Sequence, residues 1–503
     1  MRLISLLHVT AAVAMTAAVA LADTPSRLVI MHTNDTHSQI DPDSKGLGGV
    51  ARRKVLVDSI RATAPATLLV DAGDAVQGTL FFNIFRGEVE DSLMNLLGYD
   101  VQILGNHEFD NGIAELAERW KHLRADRITT NYDLRAVPEL DSLFTPYVIK
   151  TFGNKRVGLI GINLDPEGMI APANCRGIVY LDPTEAANAT AWHLRHNERC
   201  DYVIAVTHIG YAGKQRANDI ELARNSKNID VIIGGHSHTS IDPSKPDAPV
   251  HRVANAEGDT VLIAQNGKGG VTLGEIEIDF STGAITSRLI PVNSRLDSRT
   301  DDSVEAILHP YRNAVDSLTS IVIGRSPEEL QHGSPAQVNL ISDIVADEGS
   351  DLVGRRVDLA FMNRGGIRCA MPKGKLTRGF VMQMLPFDNR IVVMEISGSD
   401  LIDAFDSMAA RGGDGISSSA RAVIDTATGK CASITIDGEP IDPTATYTLA
   451  TIDYLANGGD YMTPLTRGRI IATAPHVAYD STIDWFKSHK KLRIDNTVRM
   501  TRQ

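Results

Sequence analysis

The chain has 503 residues, 43% of them hydrophobic and 22% charged, which is enough apolar material for packed cores and more length than one core uses, so two domains are expected. A formal net charge of −12 argues against a nucleic-acid polymer as partner, because phosphate backbones are held by clustered Lys and Arg. Small phosphorylated ligands stay open, since a bound metal supplies positive charge locally.

In chain order, Arg2 precedes an apolar, Ala-rich run over residues 3–21, and Ala20-Leu21-Ala22 fits a small-x-small cleavage site. Residues 1–22 therefore read as an export signal that is removed, which places the mature protein in the periplasm or outside the cell. No Cys stands directly after that run, and no later stretch approaches the ~20 apolar residues of a membrane span. Short apolar runs at 28–31, 67–70, 101–104, 203–206 and 231–233 have the pattern of buried strands, with a further strand at 157–163. Helical patterns lie at 50–61 and at 91–97, the second stopped by Gly98. Residues 260–265 and 274–280 read as later, hairpin-like strands. A charged, Ser-rich stretch at 293–303 runs into a helical pattern ending near Ser320, and a second α/β unit begins at about Ile321, with strands at 357–362, 391–396, 432–436 and 447–451. The division expected is a leader (1–22), a first domain (23–296), a linker helix (297–320) and a second, smaller domain (321–503). Alternation of strands and helices gives an α/β class, and by itself it points to a single doubly wound sheet. The four cysteines, Cys175, Cys200, Cys369 and Cys431, lack the short spacing of a zinc site and read as thiols or structural bridges. If they pair, Cys175–Cys200 and Cys369–Cys431 keep each bridge within one domain.

The residues just after each buried strand of the first half carry the chemistry. After Met31 comes His32-Thr33-Asn34-Asp35-Thr36-His37; after Val70, Asp71-Ala72-Gly73-Asp74; after Leu104, Gly105-Asn106-His107-Glu108-Phe109-Asp110. After Val206 comes Thr207-His208-Ile209-Gly210, and after Ile233 comes Gly234-Gly235-His236-Ser237-His238. Ligands of α/β sheets gather outside the carboxyl ends of strands, so these segments can converge. The donors that would meet are the carboxylates Asp35 and Asp74, the amide Asn106, and the imidazoles His37, His208, His236 and His238. They exceed the needs of one tetrahedral zinc and suit two divalent metals with one carboxylate bridging. Two metals roughly 3.5–4 Å apart clamp the attacking and leaving oxygens of a displacement on phosphorus and lower a bound water's pKa towards about 7, giving a metal-bound hydroxide as nucleophile. Taken singly, a His-x-His is more often a surface or core feature; the joint occurrence at successive strand ends makes the case.

These motifs resemble the signature of calcineurin-like metallophosphoesterases, and in the fuller forms Thr33-Asn34-Asp35-Thr36-His37 and Gly105-Asn106-His107-Glu108-Phe109-Asp110 they resemble the 5′-nucleotidase and UDP-sugar hydrolase branch. The resemblance spans nearly the whole mature chain. It implies a core of two sheets flanked by helices in place of the single sheet, joined by a helical linker to the second α/β domain. It implies one metal on Asp35, His37 and His238, the other on Asn106, His208 and His236, and Asp74 bridging. His107 is then a catalytic group facing the phosphoryl, oriented by Asp110; Asp110 read by itself could instead cap a helix over residues 112–120. Mixed His, Asp and Asn donors suit Zn, Mn, Co or Fe.

In the second domain, Asn363-Arg364-Gly365-Gly366-Ile367-Arg368 would ordinarily be a turn with a solvated Arg, but it resembles the family's Asn-x-Gly-Gly-Ile-Arg segment, where the Asn and final Arg contact substrate. Leu385-Pro386-Phe387-Asp388-Asn389 and Tyr454-Leu455-Ala456-Asn457-Gly458-Gly459-Asp460 resemble segments that clamp a nucleobase between two rings and bind ribose through the final Asp. That implies Phe387, Asn389, Tyr454 and Asp460 as substrate contacts, with flat rings tolerant of any base. One departure is Gln331, where the family places an Arg eight residues before the equivalent of Asn339; Arg368 and Asn363 are left to meet the anion, unless Arg390 compensates. The expected function is hydrolysis of 5′-nucleotides to nucleoside and phosphate. Nucleotide-sugar pyrophosphatase or 2′,3′-cyclic-nucleotide phosphodiesterase/3′-nucleotidase activity is an alternative, and a non-catalytic periplasmic nucleotide-binding protein is one of another class.

Overall fold

A computed structural model describes residues 24–213, 217–489 and 491–503. The expected leader, residues 1–22, lies outside the described residues. Among the described residues, no helix is long and apolar enough to cross a membrane.

The first domain is two stacked six-stranded sheets, not one. One runs, in spatial order, Ile285–Pro291, Thr272–Asp279, Arg27–Thr33, Thr67–Asp71, Val101–Gln102 and Asp126–Arg127. The other runs Arg252–Ala254, Thr260–Ala264, Val231–Ile233, Tyr202–His208, Lys155–Asn163 and Tyr147–Phe152. Strand alternation could not show this, because a chain that leaves one sheet and enters a second has the same alternation as one that continues the first. The side chains do show it. Leu28, Ile30, Leu68 and Val70 from one sheet share a fully apolar layer with Leu159, Ile204, Val206, Val231 and Ile233 from the other. Their in-strand neighbours Met31, Leu69, Val203, Ala205 and Ile232 face outward into a second core under the helices. Both faces of each central strand are covered, which is why the runs are continuously apolar. Each such side chain, fully buried, contributes about 1.5–3 kcal/mol.

The central strands of each sheet are parallel: Arg27–Thr33 with Thr67–Asp71 and Val101–Gln102, and Lys155–Asn163 with Tyr202–His208 and Val231–Ile233. Their carboxyl ends emerge on one rim. The strand expected over 101–104 keeps only Val101–Gln102 in the ladder, since Leu104-Gly105 turns away towards the site.

A short 3-10 turn, Ser294–Arg299, and the helix Ser303–Thr319 connect to the second domain. Arg312 fastens that helix to the first domain through both Asp41 oxygens, at 2.7 and 2.6 Å. The second domain is built on a five-stranded sheet in the order Gly415–Ile416, Leu359–Met362, Thr446–Ile452, Arg390–Ser397, Arg469–Val477, with a four-stranded sheet beside it. A six-residue helix of the first domain, Leu80–Phe85, docks on the second: Leu80 joins the second domain's core, and Asn83 donates to the Met382 carbonyl at 2.6 Å. All four cysteines are free thiols, so neither possible bridge is formed; burial pushes Cys369 and Cys431 each up to about 11.

Candidate active site

The strand-end segments meet on the rim where the two sheets present their carboxyl ends. Three groups of side chains bring ligand atoms within 4.8 Å of one another: Asp35, His37 and His238; Asp74, His208 and His236; and His37, Asp74 and His107. His37 and His238 face each other Nε2 to Nε2 at 2.9 Å, and Asp35 Oδ1 lies 3.5 Å from His238 Nε2. His236 Nδ1 lies 3.0 Å from the amide oxygen of Asn106, and His208 Nε2 lies 3.2 Å from Asp74 Oδ2. All seven donors named from the sequence are thus in one cluster.

The loops that carry them are strained. Asp35, His37, Asp74, His236 and His238 all have positive φ, between 47° and 74°. Non-glycine residues hold such a conformation only where their surroundings over-determine it, at about 1–3 kcal/mol each, and such residues cluster at functional sites. The glycines beside them serve close packing. A Cβ on Gly105 would collide with Asp74 Oδ1, and one on Gly235 would sit 2.7 Å from His208 Nδ1. Glycine here lets neighbouring strand-end loops touch, so that the donors can come together.

The electrostatics fit divalent ions. His208 donates Nδ1–H to the Ala72 carbonyl at 2.7 Å, which turns its buried Nε2 inward, towards Asp74 Oδ2. Two imidazole nitrogens 2.9 Å apart, as in His37 and His238, leave one lone pair facing another unless a proton or a cation lies between them. Burial pulls His37 down to about 3 and His236 to about 4, so both are neutral and ligand-competent. Burial opposes charge on Asp74, but His208 and His107 beside it hold the carboxylate well below the usual range. Burial likewise opposes charge on His208, and Asp74 overrides it, pushing the imidazole up to about 10. The cluster is anion-rich and demands a positive partner, which a proton supplies to His208 when no metal does.

His107 stands beside this cluster. Its Nδ1 pairs with Asp110 Oδ2 at 2.9 Å, and its backbone N–H donates to Asp74 Oδ1 at 2.9 Å. Burial works against charge on its ring, but Asp110 and Asp74 raise it above its ordinary value. Asp110 does not cap the following helix: Ile113–Trp120 begins after Gly112, with no side-chain cap.

Beyond His107 a cavity of about 430 Å³ opens between the domains. His107 and Asp110 line it from the first domain; Asn363, Arg368, Phe387, Asn389, Tyr454 and Asp460 line it from the second. The Phe387 ring stacks at 6.2 Å over His107, and the Arg368 guanidinium lies 5.7 Å from the same ring. Asn363 donates to Asp460 Oδ2 at 2.6 Å, and the Tyr454 hydroxyl donates to Asp460 Oδ1 at 3.0 Å, so the Asp carboxylate is held from both sides. Gln331 is exposed and bonded to Glu329, and Arg390 is spent on the carbonyls of Ala474 and Pro475; neither lines the cavity.

Residues 28–240 match the calcineurin-like phosphoesterase family and residues 320–467 the 5′-nucleotidase C-terminal domain. The crystal structure of a 5′-nucleotidase precursor from Thermus thermophilus is 30% identical, with a TM-score of 0.81 over 95% of this chain and 99% of that one. The chain belongs to the 5′-nucleotidase family. As such it is a metal-dependent phosphoester hydrolase of the calcineurin-like type. The rat 5′-nucleotidase is 28% identical over 415 residues, covering 75% of this chain and 71% of the rat protein. The trifunctional nucleotide phosphoesterase YfkN of Bacillus subtilis is 28% identical over 426 residues; the match takes in 75% of this chain but only 27% of that longer protein.

Other members of this 5′-nucleotidase site went unassigned in the sequence. Glu108 stands inside the Gly105-Asn106-His107-Glu108 motif, and its carboxylate accepts from the backbone N–H groups of Asp74, Ala75 and Gly105 at 3.0, 2.9 and 2.6 Å, tying two strand-end loops together. Asn34, inside the first motif, donates to Asp35 Oδ2 at 2.6 Å and to the Gly267 carbonyl at 2.8 Å. Gln77, three residues after Asp74, accepts from Arg368 Nη2 at 3.1 Å across the domain boundary. Motif membership could have flagged the first two; nothing local marks Gln77.

Proposed function

We propose that this protein hydrolyses 5′-nucleotides to nucleoside and phosphate at a site for two divalent ions. Asp35, His37 and His238 would hold one ion, Asn106, His208 and His236 the other, with Asp74 shared, and the donor set suits Zn, Mn, Co or Fe. The observation that carries the reading is that one cavity is lined by His107 and Asp110 on one side and by Asn363, Arg368, Phe387, Asn389, Tyr454 and Asp460 on the other. Bound ions supply Lewis-acid charge and an activated water.

The remaining work falls to the chain. His107, with its affinity for a proton raised by Asp110 and Asp74, holds a proton ready for the departing ester oxygen. Asp110 fixes the ring through Nδ1, leaving Nε2 for the substrate. Arg368 and Asn363 grip phosphate oxygens, Phe387 and Tyr454 offer ring faces to the base, and Asn389 and Asp460 meet the base and ribose. Asp460 is already oriented by Asn363 and Tyr454, so it engages ribose hydroxyls with little reorganisation. The names of two relatives, 5′-nucleotidase and nucleotide phosphoesterase, support the same substrate class. The leader read in residues 1–22 places the activity in the periplasm or outside the cell, with a catalytic domain at 23–296, a linker at 297–320 and a substrate-binding domain at 321–503.

The test is a panel of mononucleotides, nucleoside diphosphates, nucleotide sugars and 2′,3′-cyclic nucleotides with added Mn or Zn, repeated with chelator. Mononucleotides should give the highest kcat/KM, and chelator should abolish turnover. Turnover confined to nucleotide sugars or cyclic nucleotides would move the protein to a sister activity, and tight nucleotide binding with no turnover would make it a binding protein.

A further inference from the structure

The nucleotide cavity carries a charged pair to which the reading above gives no role. Arg86 ends the short first-domain helix Leu80–Phe85 with a left-handed backbone, φ 55°, followed by Gly87. From there its side chain reaches the second domain and meets Asp388 Oδ2 at 3.2 Å, and both residues line the cavity together with Phe387 and Asn389. The two side chains are 50% and 43% exposed, so water screens the pair and it adds little to domain docking. Asp388 directly follows Phe387, and the Tyr479 hydroxyl donates to its Oδ1 at 3.4 Å. A base held on the Phe387 ring shares its cavity with a carboxylate and a guanidinium.

We propose that Arg86 and Asp388 form a base-reading pair that favours guanine, which rests on the nucleotide-hydrolase reading above. The argument is one of donor and acceptor order. A carboxylate is acceptor-only with two oxygens, and a guanidinium is donor-only. Side by side they present acceptor, acceptor, donor. The complement on a base is donor, donor, acceptor, which is the order of N2–H, N1–H and O6 on guanine. Adenine and cytosine place a ring acceptor where guanine has N1–H, and that atom would face an Asp388 oxygen. Uracil has one N–H between two carbonyls and matches only part of the set. The ring faces of Phe387 and Tyr454 bind any base, so discrimination has to come from the edge. A matched bidentate contact is worth roughly 5- to 150-fold in discrimination; with both partners half exposed, the lower end applies, on the order of fivefold to tenfold.

The experiment measures kcat/KM for GMP and AMP with the full-length, metal-loaded enzyme, for wild type, Arg86→Ala, Asp388→Asn and the charge swap Arg86→Asp/Asp388→Arg. The readout is the GMP/AMP ratio, which a general loss of activity or of domain docking does not move. The proposal expects a wild-type ratio of about five or more, a ratio near one in both single variants, and no recovery in the swap, which restores an ion pair but reverses its order. A wild-type ratio near one, a ratio untouched by either substitution, or full recovery in the swap overturns it. An enzyme that cleaves neither nucleotide while hydrolysing a nitrophenyl phosphate overturns the nucleotide reading itself, a result distinct from nucleotide cleavage without base preference.

Discussion

The dyad of His107 and Asp110 stands between two possible roles, metal ligand and the proton donor proposed above. His107 lies near enough to His37 and Asp74 to make a possible metal group with them, yet its Nδ1 is occupied by Asp110 and its ring faces the cavity. A histidine that already holds a carboxylate partner and a raised affinity for protons is poised to protonate a leaving oxygen more than to donate a lone pair. His107→Ala is therefore expected to lower kcat by about 10²- to 10⁴-fold while elemental analysis still finds the metal content of wild type. Loss of metal along with activity would put His107 among the ligands. Asp110 and Glu108, two residues apart, serve different partners: Asp110 holds the His107 ring, and Glu108 holds three backbone N–H groups of two strand-end loops.

At the scale of elements, the strand-end loops are built for an occupant. Five of the seven donors sit at positive φ, around a buried set of carboxylates and imidazoles. An ion that binds only the folded state stabilises it by about 2.7 kcal/mol at a hundredfold excess over Kd, so stripping metal should lower the melting temperature and adding Zn or Mn should restore it. A melting curve indifferent to chelator would separate these loops from any metal. A second element carries its own pH dependence. On the helix Pro335–Val353, burial and the neighbours Asp351, Asp484 and Asp347 push Glu348 up to about 7. Its ordinary value is 4.5, so between about 4.5 and 7 the folded chain holds a proton that the unfolded chain has released. Stability from this group is present in full below that window and is lost as pH rises through it. Glu348→Gln should therefore raise the melting temperature at pH 8 relative to wild type and leave it nearly level at pH 4.5; equal shifts at both pH values would contradict the assignment.

For the whole molecule, the cavity has one wall from each domain, so the proposed reaction depends on their staying registered to within a side-chain length. Arg312 locks the linker helix to the first domain, Leu80 and Asn83 of the first domain seat in the second, and Gln77 touches Arg368. Phe387 consequently lies over His107 although 280 residues separate them in the chain, counting from 107 to 387. Phe387→Ala is expected to raise KM for mononucleotides by about 5- to 150-fold, the worth of one base stack, and by far less for a nitrophenyl phosphate, whose ring needs no such partner. Equal losses on both substrates would make Phe387 a packing residue of the domain boundary.

The contribution of the sequence by itself was local. Runs such as Val203 to Val206 set buried strands, because a strand covered on both faces has no polar side, and the Asp, Asn and His residues after them could only emerge at strand ends. The helix over 50–61 and the strands at 391–396 and 447–451 were legible for the same reason, and in the structure each extends by one or two residues at one or both ends. The two-sheet core came from family resemblance, since alternation cannot say which sheet a strand joins. Tertiary structure alone decided the rest. It put Arg390 on two carbonyls and left the cysteines unpaired. It also brought Gln77 to Arg368, and Arg86 to a cavity shared with the second domain. Most of those outcomes rest on contacts between residues tens to hundreds of positions apart. Their free energy arises only once both domains are packed, so no local pattern encodes them.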